Sequence, residues 1–194
     1  MLPAIERSKK LPVVLSFREV KQLLKAPKLL KHRLVLALLY GCGLRCFELC
    51  NLQLKDLDFD RMMLHVRQGK GRKDRYVPLS RMQIRGLKTY LAAENPCTWC
   101  FTGNNTEGRP VPLSTQGVRW IVREARKHSG IQKEVTTHSL RHSYATHLLE
   151  MGLDIMSVKD LLGHADIQTT LTYLHVAQLG RQKPFSPLDR LYKE

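Results

Sequence analysis

The 194-residue sequence predicts a mainly α-helical fold with one small antiparallel β-sheet, which places it in the α+β class. Most segments repeat their apolar residues at helical spacing, between a capping residue and a glycine or proline. One segment after Asp56 instead alternates with a period of two, on both sides of a turn rich in glycine and charge. The composition, 43% hydrophobic and 25% charged, suits a chain that buries a core.

The first two helices are predicted from capping and apolar spacing. Ser16 with Glu19 three residues later forms the pattern of a capping box, and the helix should end near Pro27. A second helix is expected over residues 29–40.

A third helix and a hairpin follow. Gly41 and Gly43 interrupt the helical pattern, so LRCFELCNL should begin a new helix with Arg45 near its N-terminal end. The hairpin is expected over residues 62–80, where MMLHVRQ and RYVPLS flank the turn GKGRKD.

The middle of the chain is predicted as two helices around an irregular stretch. Ser80 and Gln83 cap a helix that runs to about Ala93. Residues 95–112 are expected to be loop-like, with two short apolar runs. A helix is then expected over residues 115–128.

Three more helices are expected near the C-terminus. The first spans residues 139–151 and stops at Gly152. The second spans residues 155–162, and the third spans residues 167–176 with Asp166 as its cap. Together the elements describe a helical protein with one small sheet.

The excess of basic residues favours a polyanionic partner. Thirty-two Lys and Arg residues stand against 17 Asp and Glu residues, a net charge of +15. Such a charge attracts nucleic acid or an anionic membrane surface, and charge alone does not choose between them. The apolar stretch Leu34–Leu39 is too short to span a bilayer, and the N-terminus has charges where a signal peptide needs an apolar run. We therefore expect a soluble, cytoplasmic protein.

The five cysteines are expected to be reduced and structural. Cys42, Cys46 and Cys50 recur at helical spacing, which is typical of small core residues. Cys97 and Cys100 form a single CxxC pair, and a zinc site would need a second pair.

The stretch THSLRHSYATHLL, residues 137–149, has two faces on a helix. Leu140, Tyr144 and Leu148 form an apolar stripe, and the other face holds His138, Arg141, His142 and Ala145.

Three interpretations of the second face stay open at this point. It is a solvated surface, or His138 and His142 bind a metal, although no acidic residue accompanies them. In the third interpretation Arg141, one turn into the helix, binds an anion beside free backbone N–H groups, and Arg45 repeats this arrangement. Two such arginines can neutralise the oxygens of one phosphate, so the sequence favours a phosphate held for chemistry.

Four blocks in this order resemble the catalytic domain of the tyrosine recombinases, the phage integrase family. They are GLRCFEL (43–49), QGKGRKDRYVPL (68–79), HSLRHSYATHLL (138–149) and LLGHADIQTTLTYLHV (161–176). The resemblance covers nearly the whole chain, from about Leu11 to the tail, and each block has the expected polar residue in place.

The resemblance implies six catalytic residues: Arg45, Lys70, His138, Arg141, His164 and Tyr173. Tyr173 would be the nucleophile, Lys70 the mobile hairpin lysine, and His138 a general base or proton relay. The two arginines and His164 would bind the scissile phosphate. Neither a metal nor a nucleotide cofactor is required, because these cationic and hydrogen-bonding groups balance the charge on the transition-state oxygens.

The hairpin and the third helix supply three DNA-binding candidates and one supporting residue. Arg72, Lys73 and Arg75 are expected to contact the phosphate backbone of double-stranded DNA without reading its sequence. Glu48 is expected either to orient Arg45 or to be a surface charge on its helix.

The resemblance also carries expectations about organisation. Residues 1–194 are expected to be a single catalytic domain without the N-terminal core-binding domain that family members usually carry, through truncation or natural shortness. A free monomer would assemble as a tetramer on two DNA sites. The tail, 178–194, would dock on a neighbouring protomer or on its own domain. We expect a nucleoid-associated protein encoded by a prokaryote or a mobile element, either as the recombinase of an integrating element or as a resolvase of chromosome dimers.

Two other functions compete with recombination. A type IB topoisomerase-like enzyme would use the same nucleophile and arginines to relax DNA. Alternatively, SVKDLLGHADIQTTLTYL resembles a helix-turn-helix, which would make the protein a DNA-binding regulator without catalysis. That alternative leaves Arg45, Lys70 and His138 unexplained.

Overall fold

The computed structural model describes residues 12–67, 74–104, 108–174 and 176–177. Over these ranges the chain forms eight α-helices, five short strands and one 3₁₀ turn, Leu54–Asp56. The predicted fold class, mainly α with a small antiparallel β-sheet, is confirmed, and the described residues form two such sheets.

The first three helices lie close to their predicted positions. Helix α1 spans Phe17–Lys25, α2 spans Leu30–Gly41 and α3 spans Cys46–Cys50. The capping box is formed, because the Ser16 hydroxyl accepts from the Glu19 N–H at 3.2 Å and the Glu19 carboxylate accepts from the Ser16 N–H at 2.7 Å.

The predicted hairpin is part of a three-stranded antiparallel sheet. Its strands are β1 (Leu57–Asp58), β2 (Met63–Val66) and β3 (Arg75–Pro78), in the order β1-β2-β3. Leu64 faces Val77 across the β2–β3 pair, and both are fully buried, which fixes the register. The sequence did not indicate β1, and the predicted turn lies largely outside the described residues.

The middle of the chain contains a second sheet that was not predicted. Helix α4 spans Arg81–Glu94, and α5 spans Thr115–Ser129. Between them, in the stretch predicted as loop, β4 (Thr102–Asn104) pairs antiparallel with β5 (Pro110–Pro112). The two strands are only three residues long, so each offers too little alternation to be recognised.

The last three helices are α6 (Thr137–Glu150), α7 (Ile155–Leu162) and α8 (Gln168–Leu171). Helix α8 is much shorter than the predicted 167–176. The Thr172 hydroxyl donates to the Thr169 carbonyl at 2.8 Å, the kind of local side-chain bond that competes with helix formation. The chain continues from α8 in turns as far as residue 174.

Helix α6 is buried on most of its surface, including Arg141 and Ala145 of the face predicted to be polar. Arg141 is only 4% exposed, and His147 only 3%. The Ser143 hydroxyl accepts from the Leu15 N–H at 2.9 Å, which ties α6 to the chain before α1. The helix therefore carries its polar side chains into the protein interior.

The core has two parts. The larger involves α1 to α6 and the three-stranded sheet. The smaller, which we call the C-terminal cluster, comprises Tyr144, Ala145, Leu149, Val158, Leu162 and Tyr173. The aromatic ring of Tyr173 thus packs in the core, although the residue also carries a polar hydroxyl. Among the described residues, no helix is both long and apolar enough to cross a membrane.

Candidate active site

Three arginines from different parts of the chain meet at the C-terminal end of α7. Arg75 Nε donates to the carbonyl of residue 161 at 2.8 Å, and Arg45 Nη2 donates to that of residue 163 at 3.2 Å. Arg141 Nη2 donates to the carbonyl between them, at residue 162. The last carbonyls of a helix lack intrahelical partners and carry partial negative charge. The end of α7 therefore holds three cations close together.

The start of α3 positions Arg45. Gly43 adopts a left-handed backbone with φ of 59°, and Arg45 follows in an extended conformation as the N-cap of α3. Arg45 Nη1 donates to Glu48 Oε1 at 2.7 Å, and Glu48 Oε2 accepts from the Arg45 N–H at 2.8 Å. The expectation that Glu48 orients Arg45 agrees with this geometry.

Glu48 also binds Arg75, and this changes the interpretation of Arg75. The two terminal nitrogens of Arg75 donate to the two oxygens of Glu48 at 2.9 and 2.7 Å, and Arg75 is buried. Burial alone would raise the pKa of Glu48, but the hydrogen bond and charge of Arg75, with the backbone bond from Arg45, lower it to about 2. Arg75, expected on the DNA backbone, is therefore directed into the protein, because its donors pair with a buried carboxylate.

Arg141 lies deepest of the three arginines. Its Nη1 donates to the carbonyl of Gly43, so one side chain connects α6 to the turn before α3 and to the end of α7. Burial, followed by the charge of Arg45, lowers its pKa to about 9, and the guanidinium stays protonated at neutral pH.

Tyr173 is held in a turn just after α8. Its backbone N–H donates to the Thr170 carbonyl at 3.0 Å, and the residue is only 3% exposed. The hydroxyl lies 2.9 Å from His142 Nδ1. Burial raises the pKa of the phenol, while Arg141 and Arg45 oppose the rise by stabilising the phenolate.

His164 is the second histidine next to the Tyr173 ring. The two rings are stacked, with centroids 6.2 Å apart, and His164 Nδ1 bonds the Thr170 hydroxyl at 2.9 Å. Burial, with the charges of Arg141 and Arg45, lowers the pKa of His164 to about 4. The imidazole is therefore neutral at pH 7, and a Thr170 hydroxyl that donates to Nδ1 leaves the proton on Nε2 for a phosphate oxygen.

The two histidines of α6 differ in their positions. His138 is exposed at the start of the helix, with its ring centroid 6.4 Å from that of His142. His142 is half-buried and is the histidine that bonds Tyr173. From the sequence, His142 was expected only as part of a polar face or of a metal-binding pair. Its position next to Arg141 was the available signal of a role in the site.

Comparison with known proteins decides the family. The model of the phage integrase family matches residues 13–179, most of the chain. The chain belongs to the phage integrase family. The predicted family resemblance is therefore confirmed.

Named relatives and solved structures agree with this assignment. The chain is 42% identical over 176 residues to the tyrosine recombinase XerA of Thermococcus kodakarensis, covering 90% of this chain and 61% of the relative. The crystal structure of a XerA recombinase superposes with a TM-score of 0.82 at 32% identity, covering 95% of this chain and 68% of that one. A XerH site-specific recombinase bound to a palindromic difH substrate, in a post-cleavage complex, superposes with a TM-score of 0.75 at 27% identity over 87% and 51% of the chains. The chain thus spans about three fifths of the length of the curated relative.

Some of the residues expected of an integrase-family site fall outside the structure. Lys70, Arg72 and Lys73 lie outside the described residues. Among all the residues that the structure describes, no group of three or more His, Cys, Asp or Glu side chains is arranged to hold a metal ion.

The helix-turn-helix alternative does not fit this integrase-family chain. The second helix of the motif would be α8, which has only four residues. A recognition helix must place several side chains in the major groove, whereas Tyr173 just beyond α8 is packed in the C-terminal cluster.

Proposed function

We propose that this chain is the catalytic part of a site-specific recombinase that cleaves and rejoins DNA strands through a 3′-phosphotyrosine intermediate. The observation that carries the proposal is the phenol of Tyr173, held 2.9 Å from His142 and within the electrostatic influence of Arg45 and Arg141. A phenol becomes an effective nucleophile when a base accepts its proton and cations neutralise the phosphate that it attacks. The XerH site-specific recombinase has been solved with a difH substrate in a pre-cleavage and in a post-cleavage complex, which supports a recombination site that is cleaved as the substrate.

In the proposed reaction the Tyr173 oxygen attacks phosphorus and the bond to the 5′-oxygen breaks. Arg45 and Arg141 bind the non-bridging oxygens, on which negative charge accumulates, and His164 donates a further hydrogen bond. A guanidinium has five N–H donors, and the described contacts of Arg141 to carbonyls use one N–H of each of its two terminal nitrogens. Donors therefore remain for a phosphate.

Two proton transfers complete the reaction. We assign to Lys70 the proton that the departing 5′-oxygen requires, and to His138 the role of general base or relay. The phosphotyrosine conserves the energy of the broken bond, so a 5′-hydroxyl of another strand reverses the step. We propose that the enzyme needs neither metal nor cofactor, because fixed cations do the work of a metal ion at the phosphate.

The positive charge of the chain supports double-stranded DNA as its partner. Arg72 and Lys73 remain candidates for phosphate-backbone contacts, with the net charge of +15 adding a salt-dependent attraction. The role of Arg75 is instead to hold Glu48 and, through it, Arg45. A cytoplasmic location at the nucleoid, and a single catalytic domain over residues 1–194, complete the proposal.

Covalent capture tests the function. The chain is incubated with a library of nicked suicide duplexes whose central sequence is randomised, and adducts that survive denaturant are collected and sequenced. We expect adducts through Tyr173 with a shared DNA sequence, formed equally in excess EDTA and absent from Tyr173→Phe. Absence of any adduct from the wild-type chain, or its loss on chelation, would overturn the proposed chemistry.

The same DNA separates recombination from topoisomerase activity. A supercoiled plasmid containing two copies of the captured sequence is treated with the protein, and its products are resolved on a gel. Exchange between the two copies supports recombination, whereas relaxation without exchange supports the type IB alternative.

Assembly is the second part of the proposal. We propose that the free monomer forms a tetramer on two DNA duplexes, with each tail, residues 178–194, docking on a neighbour. The tail lies outside the described residues. A groove of about 590 Å³ beside the C-terminal cluster offers it an apolar surface, with lining residues that include Met82, Leu148, Met151 and Leu161. Met82 and Met151 are more than half exposed there, and exposed apolar surface of this kind favours docking.

Deletion of residues 182–194 tests this assembly. We expect the shortened chain to remain soluble and monomeric but to form no complex larger than one protomer per DNA arm, as measured by light scattering. An insoluble product would indicate that the tail covers its own domain.

A further inference from the structure

Two histidines of helix α6 each face the hydroxyl of a tyrosine from another part of the chain, at the same hydrogen-bond distance. His142 Nδ1 lies 2.9 Å from the Tyr173 hydroxyl, and His147 Nδ1 lies 2.9 Å from the Tyr40 hydroxyl. The second pair contacts neither an arginine of the site nor the nucleophile in any described interaction, and the His147 ring stacks on Phe17 with a centroid distance of 3.9 Å. One pair is thus structural, while the other includes the proposed nucleophile.

The surroundings of His142 make it a neutral acceptor. Burial, the neighbouring His138 and the charge of Arg141 lower the pKa of His142 to about 4, so the ring is uncharged at pH 7. A neutral imidazole has one donor and one acceptor nitrogen. Because Nδ1 faces a phenol that must lose its proton, the productive tautomer has its own proton on Nε2. The charged or titratable groups around the pair are Arg45, His138, Arg141 and His164.

We propose that His142 is a catalytic residue that accepts the phenolic proton of Tyr173 during strand cleavage and returns it during rejoining. The inference rests on the proposed function and adds a residue to its site. As the Tyr173 oxygen forms its bond to phosphorus, the O–H electron pair stays on oxygen and the proton moves to His142 Nδ1. The bond from phosphorus to the 5′-oxygen breaks, and that oxygen takes a separate proton from the general acid, so charge and atoms balance. In rejoining, the departing phenolate recovers the proton from His142.

The position of His138 suits a subordinate role. It is exposed, and its ring approaches His142 rather than Tyr173 among the described contacts. A general base must lie within hydrogen-bond reach of the proton that it abstracts, and His142 meets this criterion. His138 lies next to it on the side of the solvent, where it can pass the proton onward.

The test compares His142→Asn with His147→Asn in single-turnover formation of the Tyr173 adduct on captured suicide DNA. Asparagine keeps a polar atom near the place of Nδ1 but does not accept a proton. We expect His142→Asn to form the adduct about 10²- to 10⁴-fold more slowly at pH 7, the usual range for loss of general base catalysis. Its rate should rise about tenfold per pH unit, because the phenolate must then form without help. The His147→Asn control should keep the wild-type pH profile, whatever it loses in stability.

A second variant keeps the test independent of side effects of asparagine. His142→Ala leaves space at the ring, and added imidazole should restore adduct formation in proportion to its concentration.

Three outcomes overturn the inference while leaving the proposed function intact. The first is a wild-type rate and pH slope in His142→Asn. The second is a slow variant whose pH slope is unchanged, which would make His142 a positioning residue. The third is a steep slope in His138→Asn but not in His142→Asn. If the wild-type chain itself forms no Tyr173 adduct, the proposed function fails instead.

Discussion

The carboxylate of Glu48 binds Arg75 through both of its oxygens and, with the same two oxygens, the side chain and backbone of Arg45. One buried anion therefore fixes two of the three cations at the end of α7. Planar two-point pairing of this kind constrains orientation as well as distance. The catalytic role proposed for Arg45 depends on this constraint.

Replacing Glu48 by Gln should destabilise the protein by about 3 kcal/mol at pH 7, because Arg75 remains buried without its counter-charge. The folded-state pKa of Glu48 is about 2, below its ordinary 4.5, so its contribution is present above pH 4.5 and disappears as the pH falls towards 2. Denaturant unfolding at pH 7, 4 and 3 measures the gap in free energy of unfolding between wild type and variant. Glu134→Gln, at an exposed glutamate, is the control and should show none. A gap that stays constant on acidification would contradict the prediction.

Replacing Arg141 by Lys should slow adduct formation by about 10²-fold or more, if its guanidinium contributes about 3 kcal/mol to the transition state. Lysine keeps the charge, but one ammonium group cannot reach the carbonyls of Gly43 and Leu162 and also a phosphate oxygen. DNA binding, measured by fluorescence anisotropy, should change far less. Arg45→Lys should behave in the same way, and a parallel loss of binding and cleavage would show that these arginines only hold DNA.

Gly43→Ala should combine two costs. Its φ of 59° disfavours a side chain by about 1–2 kcal/mol, and the new Cβ would lie 2.4 Å from Tyr144 Cδ1. Overpacking of this kind adds about 1–3 kcal/mol. Gly130 also has a positive φ, of 73°, and no atom lies within 4 Å of the Cβ that Gly130→Ala would add, so this variant isolates the backbone cost. Thermal unfolding should show a larger loss of stability for Gly43→Ala than for Gly130→Ala. Equal losses of stability would argue against close packing at Tyr144.

Lys70 is tested by changing the leaving group. If it protonates the departing 5′-oxygen, Lys70→Ala should cleave ordinary DNA about 10²- to 10⁴-fold more slowly. A substrate with sulfur at the bridging 5′ position should be cleaved at close to the wild-type rate, because a thiol with a pKa of about 8.5 leaves as an anion. The sulfur substrate should not rescue Arg141→Ala, because Arg141 acts on the non-bridging oxygens. Equal slowness of Lys70→Ala on both substrates would remove its assignment as the acid.

Elements defined by residues close in sequence were predictable. The starts of α1 and α4 follow from Ser16 with Glu19 and from Ser80 with Gln83, because a capping box depends only on residues three positions apart. The four motif blocks likewise predicted the family. Helix α8 was overestimated, since threonine side chains can bond their own backbone in place of continuing the helix.

Contacts between distant residues were not predictable from local pattern. Arg75 was predicted to contact the DNA backbone, but its partner Glu48 lies 27 positions away on another element. The partners His142 and Tyr173 are 31 positions apart, and only the packing of α6 against the turn after α8 brings them together. Charge and spacing in the sequence therefore indicated which residues belong to the site. They did not indicate as well which partner each of these residues contacts.

The arginines at the end of α7 are held through main-chain oxygens, so the side chains at 161 and 162 take no part in those bonds. Gly163 is constrained there by its φ of 64° and by the Arg75 side chain, 3.1 Å from where a Cβ would be. Three guanidinium groups that bind three consecutive main-chain carbonyls form a geometric template. This template does not depend on which side chains the carbonyl-bearing residues carry. Such a template can be searched for in coordinates of any fold, including proteins whose sequences no longer align with this one.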